Sequence, residues 1–310
     1  MSRECFTQTM PGRTSYTESL TSSQADKLRA ILEEKGFEFQ DRPYSLFSAQ
    51  RDKLNVSVYA KGPKVLVQGK DTEDFVRFVL EPLVLGEVRM GYEEERFPEM
   101  FAPHFGIDES GKGDFFGPLV VTGVYVDRTL ARAFLDLGVC DSKRIGSDAR
   151  IRQLARAIRE TSGSVVEVVL IGPARYNELH SQIGNLNRLL AWGHASVLVR
   201  LAARLPECPR ALSDQFARPR LLEEAVRIKG ITVKLEQRTK AESDVAVAAA
   251  SIIARERFID WLDRRSTELG CRLPRGASLE VQALAHDLRY RFGDEALAKI
   301  AKMHFRFACG

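Results

Sequence analysis

From Phe101 onward the chain alternates short apolar runs with longer stretches of helical periodicity. Strands are predicted at His104–Asp108, Leu119–Val126, Val165–Leu170, Arg210–Ser213 and Thr232–Glu236. Helices are predicted at Arg128–Leu137, Ser147–Glu160, Leu186–Ala203, Arg218–Ile228, Ser243–Leu269 and Ser278–Tyr290. Strands and helices in this order predict an α/β domain, a mixed sheet flanked by helices. The run Val245–Ala254 is so apolar and small-residued that its helix is predicted to be buried.

The pattern before residue 86 is different. Thr21-Ser22-Ser23 is suited to cap a helix through Glu34, whose Ala25, Leu28, Ile31 and Leu32 form one apolar stripe, and Gly36 ends it. Strand-like runs follow at Tyr44–Ser48, Leu54–Ala60 and Lys64–Gln68, with a turn at Lys61-Gly62-Pro63. A second helix is predicted from Asp71 to Leu80. Helix, antiparallel sheet and helix make a small α+β module with one sheet face uncovered. That face either grips nucleic acid through Lys and Arg on its rim or packs elsewhere. Gly86 to Met100 is charged and weakly periodic, so it reads as a linker. The organisation is therefore a module at 1–85, a linker at 86–100 and a larger domain at 101–310.

A hydrophobic content of 44% with 28% charged residues is that of an ordinary globular chain. The formal charge of +4 permits a polyanionic partner without demanding one. Five scattered cysteines without a C-x-x-C pair indicate neither a zinc site nor a disulfide framework, and a reducing compartment fits best. No run is long enough to span a bilayer, and Met1–Leu20 lacks a secretory apolar core. A cytoplasmic monomer with no membrane association is the expectation.

Candidate chemistry concentrates at Asp108-Glu109-Ser110-Gly111-Lys112-Gly113-Asp114-Phe115-Phe116-Gly117-Pro118. Adjacent strand residues point to opposite faces, so one carboxylate enters a site directly and the other leans in from a bend. Gly111 and Gly113 let backbone N–H groups approach a ligand, and Lys112 offers a point charge for phosphate. Carboxylates for a hard cation beside a phosphate-sized turn suit metal-assisted phosphoryl chemistry. Taken alone, such a stretch is more often just a polar turn between two strands; the acids further down the chain shift the balance.

Asp214 ends a short strand, where open α/β sheets place their sites. Asp244 opens the apolar helix, and a buried carboxylate there needs a partner or a metal. Glu242 competes for the same role, and Asp244 also fits an ordinary first-turn acid. Together Asp108, Glu109, Asp214 and Asp244 are a set able to hold two Mg²⁺ ions. Ser142 and Lys143 lie in a polar loop that either touches phosphate or is a solvated turn. Asn185 and Asn187 suit hydrogen bonding to sugar or base edges, though capping explains Asn185 as well. His180 and His194 read as packing histidines, and Arg275 as a possible backbone contact.

The Asp108–Pro118 motif, Asp141-Ser142-Lys143, Ser213-Asp214-Gln215-Phe216 and the Asp244 segment resemble the type 2 ribonucleases H. The Gly-Lys-Gly form, the runs Tyr176–Leu179, Gly184–Asn187 and Ala191–Ala195, and the N-terminal module resemble the bacterial ribonuclease HIII branch. The resemblance implies a ribonuclease-H-like catalytic domain and an N-terminal module similar to one TATA-binding-protein repeat. It implies endonucleolytic cutting of the RNA strand of RNA/DNA hybrids, with Mg²⁺ or Mn²⁺, to 5′-phosphate and 3′-hydroxyl ends. It carries catalytic and metal-binding roles onto Asp108, Glu109, Asp214 and Asp244, and reading of RNA 2′-hydroxyls onto Gly111, Lys112 and Gly113. The family often ends in His-Phe-x-Asn-Thr, whereas here Arg306-Phe307-Ala308 follows His304-Phe305, which puts substrate contact by that tail in doubt. Two alternatives stand: ribonuclease HII-like incision at single embedded ribonucleotides, and a non-catalytic hybrid-binding protein.

Overall fold

The computed structural model describes residues 15–86 and 93–305. Residues 87–92 of the expected linker, and the divergent Arg306-Phe307-Ala308 tail, lie outside the described residues. The chain forms two compact units: the first ends at Glu99 and also takes in Asp136–Gly138, and the second is the remainder from Met100.

The first unit is an antiparallel sheet backed by helices. Its strands are β1 (Ser15–Ser19), β2 (Glu38–Gln40), β3 (Ser45–Arg51), β4 (Leu54–Tyr59) and β5 (Lys64–Gly69), in the order β1-β5-β4-β3-β2. Neither β1 nor β2 was predicted. SYTES and EFQ are short and mostly polar, and each is an edge strand held by a neighbour rather than by its own pattern. Helix α1 (Ser22–Glu34) opens on a full capping box between Thr21 and Gln24. Helix α2 (Thr72–Phe75) runs on as a π-helix over Val76–Leu85, passing through Pro82 and beyond the predicted end at Leu80. Val56, Val58, Val65 and Val67 meet Leu28, Leu32, Val76 and Leu80 in one buried core. The register puts Gln50, Asn55, Ser57 and Gln68 on the opposite face of the sheet.

Within the region read as linker, α3 (Glu93–Arg96) and α4 (Pro98–Phe101) are single turns. The second unit then builds a mixed sheet from β6 (His104–Ser110), β7 (Leu119–Val126), β8 (Val166–Ile171), β9 (Arg210–Asp214) and β10 (Lys234–Arg238). The order is β10-β9-β6-β7-β8, with β6 antiparallel to β7 and parallel to β9. The helices are α5 (Arg128–Asp136), α6 (Asp148–Glu160), α7 (Pro173–Ile183), α8 (Leu186–Arg204), α9 (Pro219–Ile228), α10 (Val245–Leu269) and α11 (Leu279–Ala298), the last broken at Gly293.

Strand β6 is central and buried on both faces. Ile107 joins Leu189, Val197 and Leu198 of α8 in one core. On the other face α10 lies so close that a Cβ on Gly106 would sit 2.2 Å from the Ala246 carbonyl carbon. The predicted burial of the Val245–Ala254 run follows from that contact: only small side chains let a helix backbone approach a strand this closely. Among the described residues no helix is long and apolar enough to cross a membrane.

Candidate active site

Strand β6 delivers its two acids to opposite faces of the sheet, as strand geometry requires. Asp108 points toward α10, whose Ser251 lines the cleft beside its carboxylate. Glu109 points toward α8, where His194 Nε2 lies 3.1 Å from Oε2. No bend precedes Glu109; it is still paired with Val121, and β6 runs to Ser110. Both carboxylates serve one site because the site lies off the end of the strand, where the two faces meet. There an open cleft of about 480 Å³ is lined by Asp108, Glu109, Asp214, Gly111, Lys112, Gly113, Asp114, Ser142, Lys143, Ser251, Arg255 and Arg275.

Asp214 arrives at the same edge because β9 runs parallel to β6, with Ser213 beside Ile107. Its Oδ1 accepts from the Ala241 N–H at 3.2 Å. Gly111 turns the chain at φ +91°, where a Cβ would sit 2.1 Å from the Pro118 oxygen, so only glycine fits. Lys112 Nζ stands 3.9 Å from Glu109 Oε1. Ser142 Oγ is 2.8 Å from Ser251 Oγ, and Arg255 donates to the Ser142 carbonyl.

The two neighbouring acids are held in different states. Burial pushes Asp108 up to about 7, and the Glu109 and Asp214 charges add to the rise. Burial acts on Glu109 too, but the His194 hydrogen bond and the charges of His194, Lys112 and Lys143 outweigh it and hold this carboxyl below its usual range. An acid pushed up by its neighbours is relieved by a cation, and hard oxygen donors suit Mg²⁺ or Mn²⁺. In donor chemistry Asp108, Glu109 and Asp214 fit a divalent ion. Among the described residues, no three His, Cys, Asp or Glu side chains converge tightly enough to grip one as they stand.

The structure does not bring Asp244 into this cleft. His104, Gly106 and Asp108 form one column on β6, and α10 runs along it from Asp244 to Ser251. Asp244 therefore meets His104, about 13 Å down the strand from Asp108 at ~3.3 Å per residue. Its Oδ1 lies 3.0 Å from His104 Nε2 and caps α10 by accepting from the Ala246 and Val247 N–H groups. Glu242 is nearer the site, in a turn tied to Asp214 through Ala241, with Oε1 3.9 Å from Lys143 Nζ. Asn185 and Asn187 are also outside the cleft: the Asn185 carboxamide caps α8 by accepting from the Asn187 and Arg188 N–H groups.

His194, read as a packing residue, is fully buried but bridges Glu109 and Ser213 Oγ, the latter at 3.1 Å from Nδ1. Ser251 was hidden within the apolar run; its hydroxyl amid alanines was the available signal.

The family model described as Ribonuclease HII matches residues 105–308. The ribonuclease HIII of Protochlamydia amoebophila is 40% identical over 291 residues, covering 94% of each chain. That of Chlamydia muridarum is 40% identical over 295 residues, covering 94% of this chain and 95% of the relative. The crystal structure of Bst-RNase HIII in complex with Mn²⁺ superposes with a TM-score of 0.65 at 29% identity, covering 94% of this chain and 96% of that one. Aquifex aeolicus RNase H3 gives 0.55 at 26% identity, covering 94% and 100%. The likeness spans both units, and the larger one has the ribonuclease-H-like architecture that the motifs implied. On sequence and fold together, the chain belongs to the ribonuclease HIII family.

Proposed function

We propose that this chain is a metal-dependent endoribonuclease that cuts the RNA strand of RNA/DNA hybrids, leaving 5′-phosphate and 3′-hydroxyl ends. The observation that carries the reading is the meeting of Asp108, Glu109 and Asp214 at one cleft, with Asp108 driven up by burial and, further, by the other two charges. These three acids would hold the metal, taken as two Mg²⁺ or Mn²⁺ ions. When bound, the ions activate a water for in-line attack at phosphorus and stabilise the departing 3′ oxygen.

The chain's own residues prepare that chemistry. His194 keeps Glu109 ionised and fixes its direction. The Glu109 N–H donates to Asp108 Oδ1 at 2.8 Å, and Ser251 stands beside the same side chain on the α10 side. Lys112, Lys143, Arg255 and Arg275 line the cleft as cations for the phosphates of the duplex. Backbone groups at Gly111–Gly113 are the proposed readers of the RNA 2′-hydroxyls, which needs no base specificity.

The N-terminal unit is proposed to hold the substrate through its open sheet face. That face offers Gln50, Asn55 and Gln68, and Arg42 Nη1 is anchored beside them on the buried Ser57 Oγ at 3.1 Å. Free thiols at Cys140, Cys208 and Cys271 support a reducing, cytoplasmic setting.

The test is cleavage of two end-labelled duplexes with Mg²⁺ or Mn²⁺, a full RNA/DNA hybrid and a DNA duplex carrying one ribonucleotide. Multiple metal-dependent cuts confined to the RNA strand of the hybrid are expected. Efficient incision of only the second duplex would replace this reading with a ribonuclease HII-like one. Binding without metal-dependent cutting of either would leave a hybrid-binding protein.

A further inference from the structure

The glycine turn at the cleft is held from behind by two distant segments, and both meet at Asp114. On one side its Oδ1 accepts from the Gly276 N–H at 2.6 Å, while the Phe115 N–H donates to the Gly276 carbonyl at 2.9 Å. On the other, Lys302 Nζ donates to the Asp114 carbonyl at 2.7 Å, and the Lys302 N–H donates to the Phe115 carbonyl at 2.8 Å.

Lys302 is fully buried, with Nζ 5.7 Å from the centre of the Tyr176 ring. Placing an amine there is costly unless its hydrogen bond is worth keeping. Burial pulls it down to about 7, with the Asp114 charge opposing. Asp114 is also a cleft carboxylate, which on composition alone would make it a fourth metal acid. Its hydrogen bonding says otherwise: the carboxylate is spent on a backbone N–H of the loop that carries Arg275.

We propose that Asp114 and Lys302 are positioning residues that clamp the Gly111–Gly113 turn against the Gly276 loop and the 300–302 segment, so that the turn is preset for the RNA strand. This rests on the hybrid-cleaving reading above. The clamp acts on substrate binding, not on the reacting atoms.

The experiment is steady-state cleavage of a hybrid by Asp114→Ala, Lys302→Met, their double variant and Asp114→Asn, with hydrogen–deuterium exchange of residues 111–117 in the substrate-free proteins. Asp114→Ala and Lys302→Met should each raise KM about fivefold, the loss of roughly one hydrogen bond, with kcat within about twofold. The double variant should fall short of the product of the two effects, since both act on one turn. Asp114→Asn keeps an acceptor oxygen and should restore KM, and exchange at 111–117 should quicken in the first three variants only. A collapse of kcat in Asp114→Asn would make Asp114 a metal acid and overturn the clamp. So would unchanged KM and unchanged exchange in Asp114→Ala. Exchange needs no substrate, so it decides the clamp even where the wild type leaves the hybrid intact, an outcome that would sink only the functional reading.

Discussion

His194 Nε2 lies 3.1 Å from Glu109 Oε2, and the same ring reaches Ser213 Oγ through Nδ1 at 3.1 Å. A fully buried histidine of α8 thus joins the acid of β6 to the strand that ends in Asp214. A buried hydrogen-bond partner of this kind orients the carboxylate proposed to hold the metal, and losing one typically costs about 10- to 100-fold. His194→Phe should therefore lower kcat by that order with the fold retained. Initial rates at saturating metal, alongside circular dichroism, check it. An unchanged kcat would remove His194 from the site.

Asp108→Asn should abolish cleavage while hybrid affinity stays within about threefold, since charge at the metal is lost but the cleft shape is kept. Rates and fluorescence anisotropy on the same preparation test both halves. Turnover near that of the wild type would refute the role of Asp108.

The raised Asp108 also predicts how the metal-free protein responds to pH. Its carboxyl goes from 3.8 in the unfolded chain to about 7 when folded, so between those values the folded state holds a proton that the unfolded state has lost. Stability from this group is full below about pH 4 and is lost as pH rises through 7. Asp108→Asn should raise the Tm of the metal-free protein by several degrees at pH 8 and by little at pH 4. By the same linkage, metal affinity should climb with pH and level off above about 7, with proton release on binding. Differential scanning and titration calorimetry read these effects. A Tm difference independent of pH would contradict the burial of an acid at this position.

Asp244→Ala should act on stability and not on chemistry. It removes the α10 cap and strands His104, whose Nδ1 already faces the Ala102 carbonyl at 2.7 Å. Breaking one side of such a buried pair costs on the order of 3 kcal/mol. The expected result is a large drop in Tm with kcat within about threefold at a temperature where the variant is folded. Loss of kcat in a folded variant would return Asp244 to the catalytic set.

Deleting residues 1–95 should raise KM for a hybrid at least tenfold while kcat falls less. The second unit carries its own sheet, core and cleft, so the chemistry should survive without the first. An unchanged KM in the truncated protein would remove the first unit from substrate binding.

Much of this was legible in the residues because it depends on local rules. Strand alternation sent Asp108 and Glu109 to opposite faces, Thr21 and Gln24 are spaced for a capping box, and an alanine-rich run marked a helix packed tightly on a strand. A strand ending in Asp214 told that this acid sits at the sheet edge. What pairs across the fold was not legible. The edge strands β1 and β2 exist because neighbours supply their hydrogen bonds, and no pattern within five or three residues records that. The fate of Asp244 depended on the phase of α10 along β6: seven residues of helix separate it from Ser251, and only the packing at Gly106 shows which of the two meets Asp108. Sequence determined which carboxylates were available and that a metal-assisted site was in reach. Tertiary structure decided that three of them share the cleft while the fourth pairs with a histidine. Side-chain identity is local, but a carboxylate's neighbours are set by contacts between elements far apart in the chain.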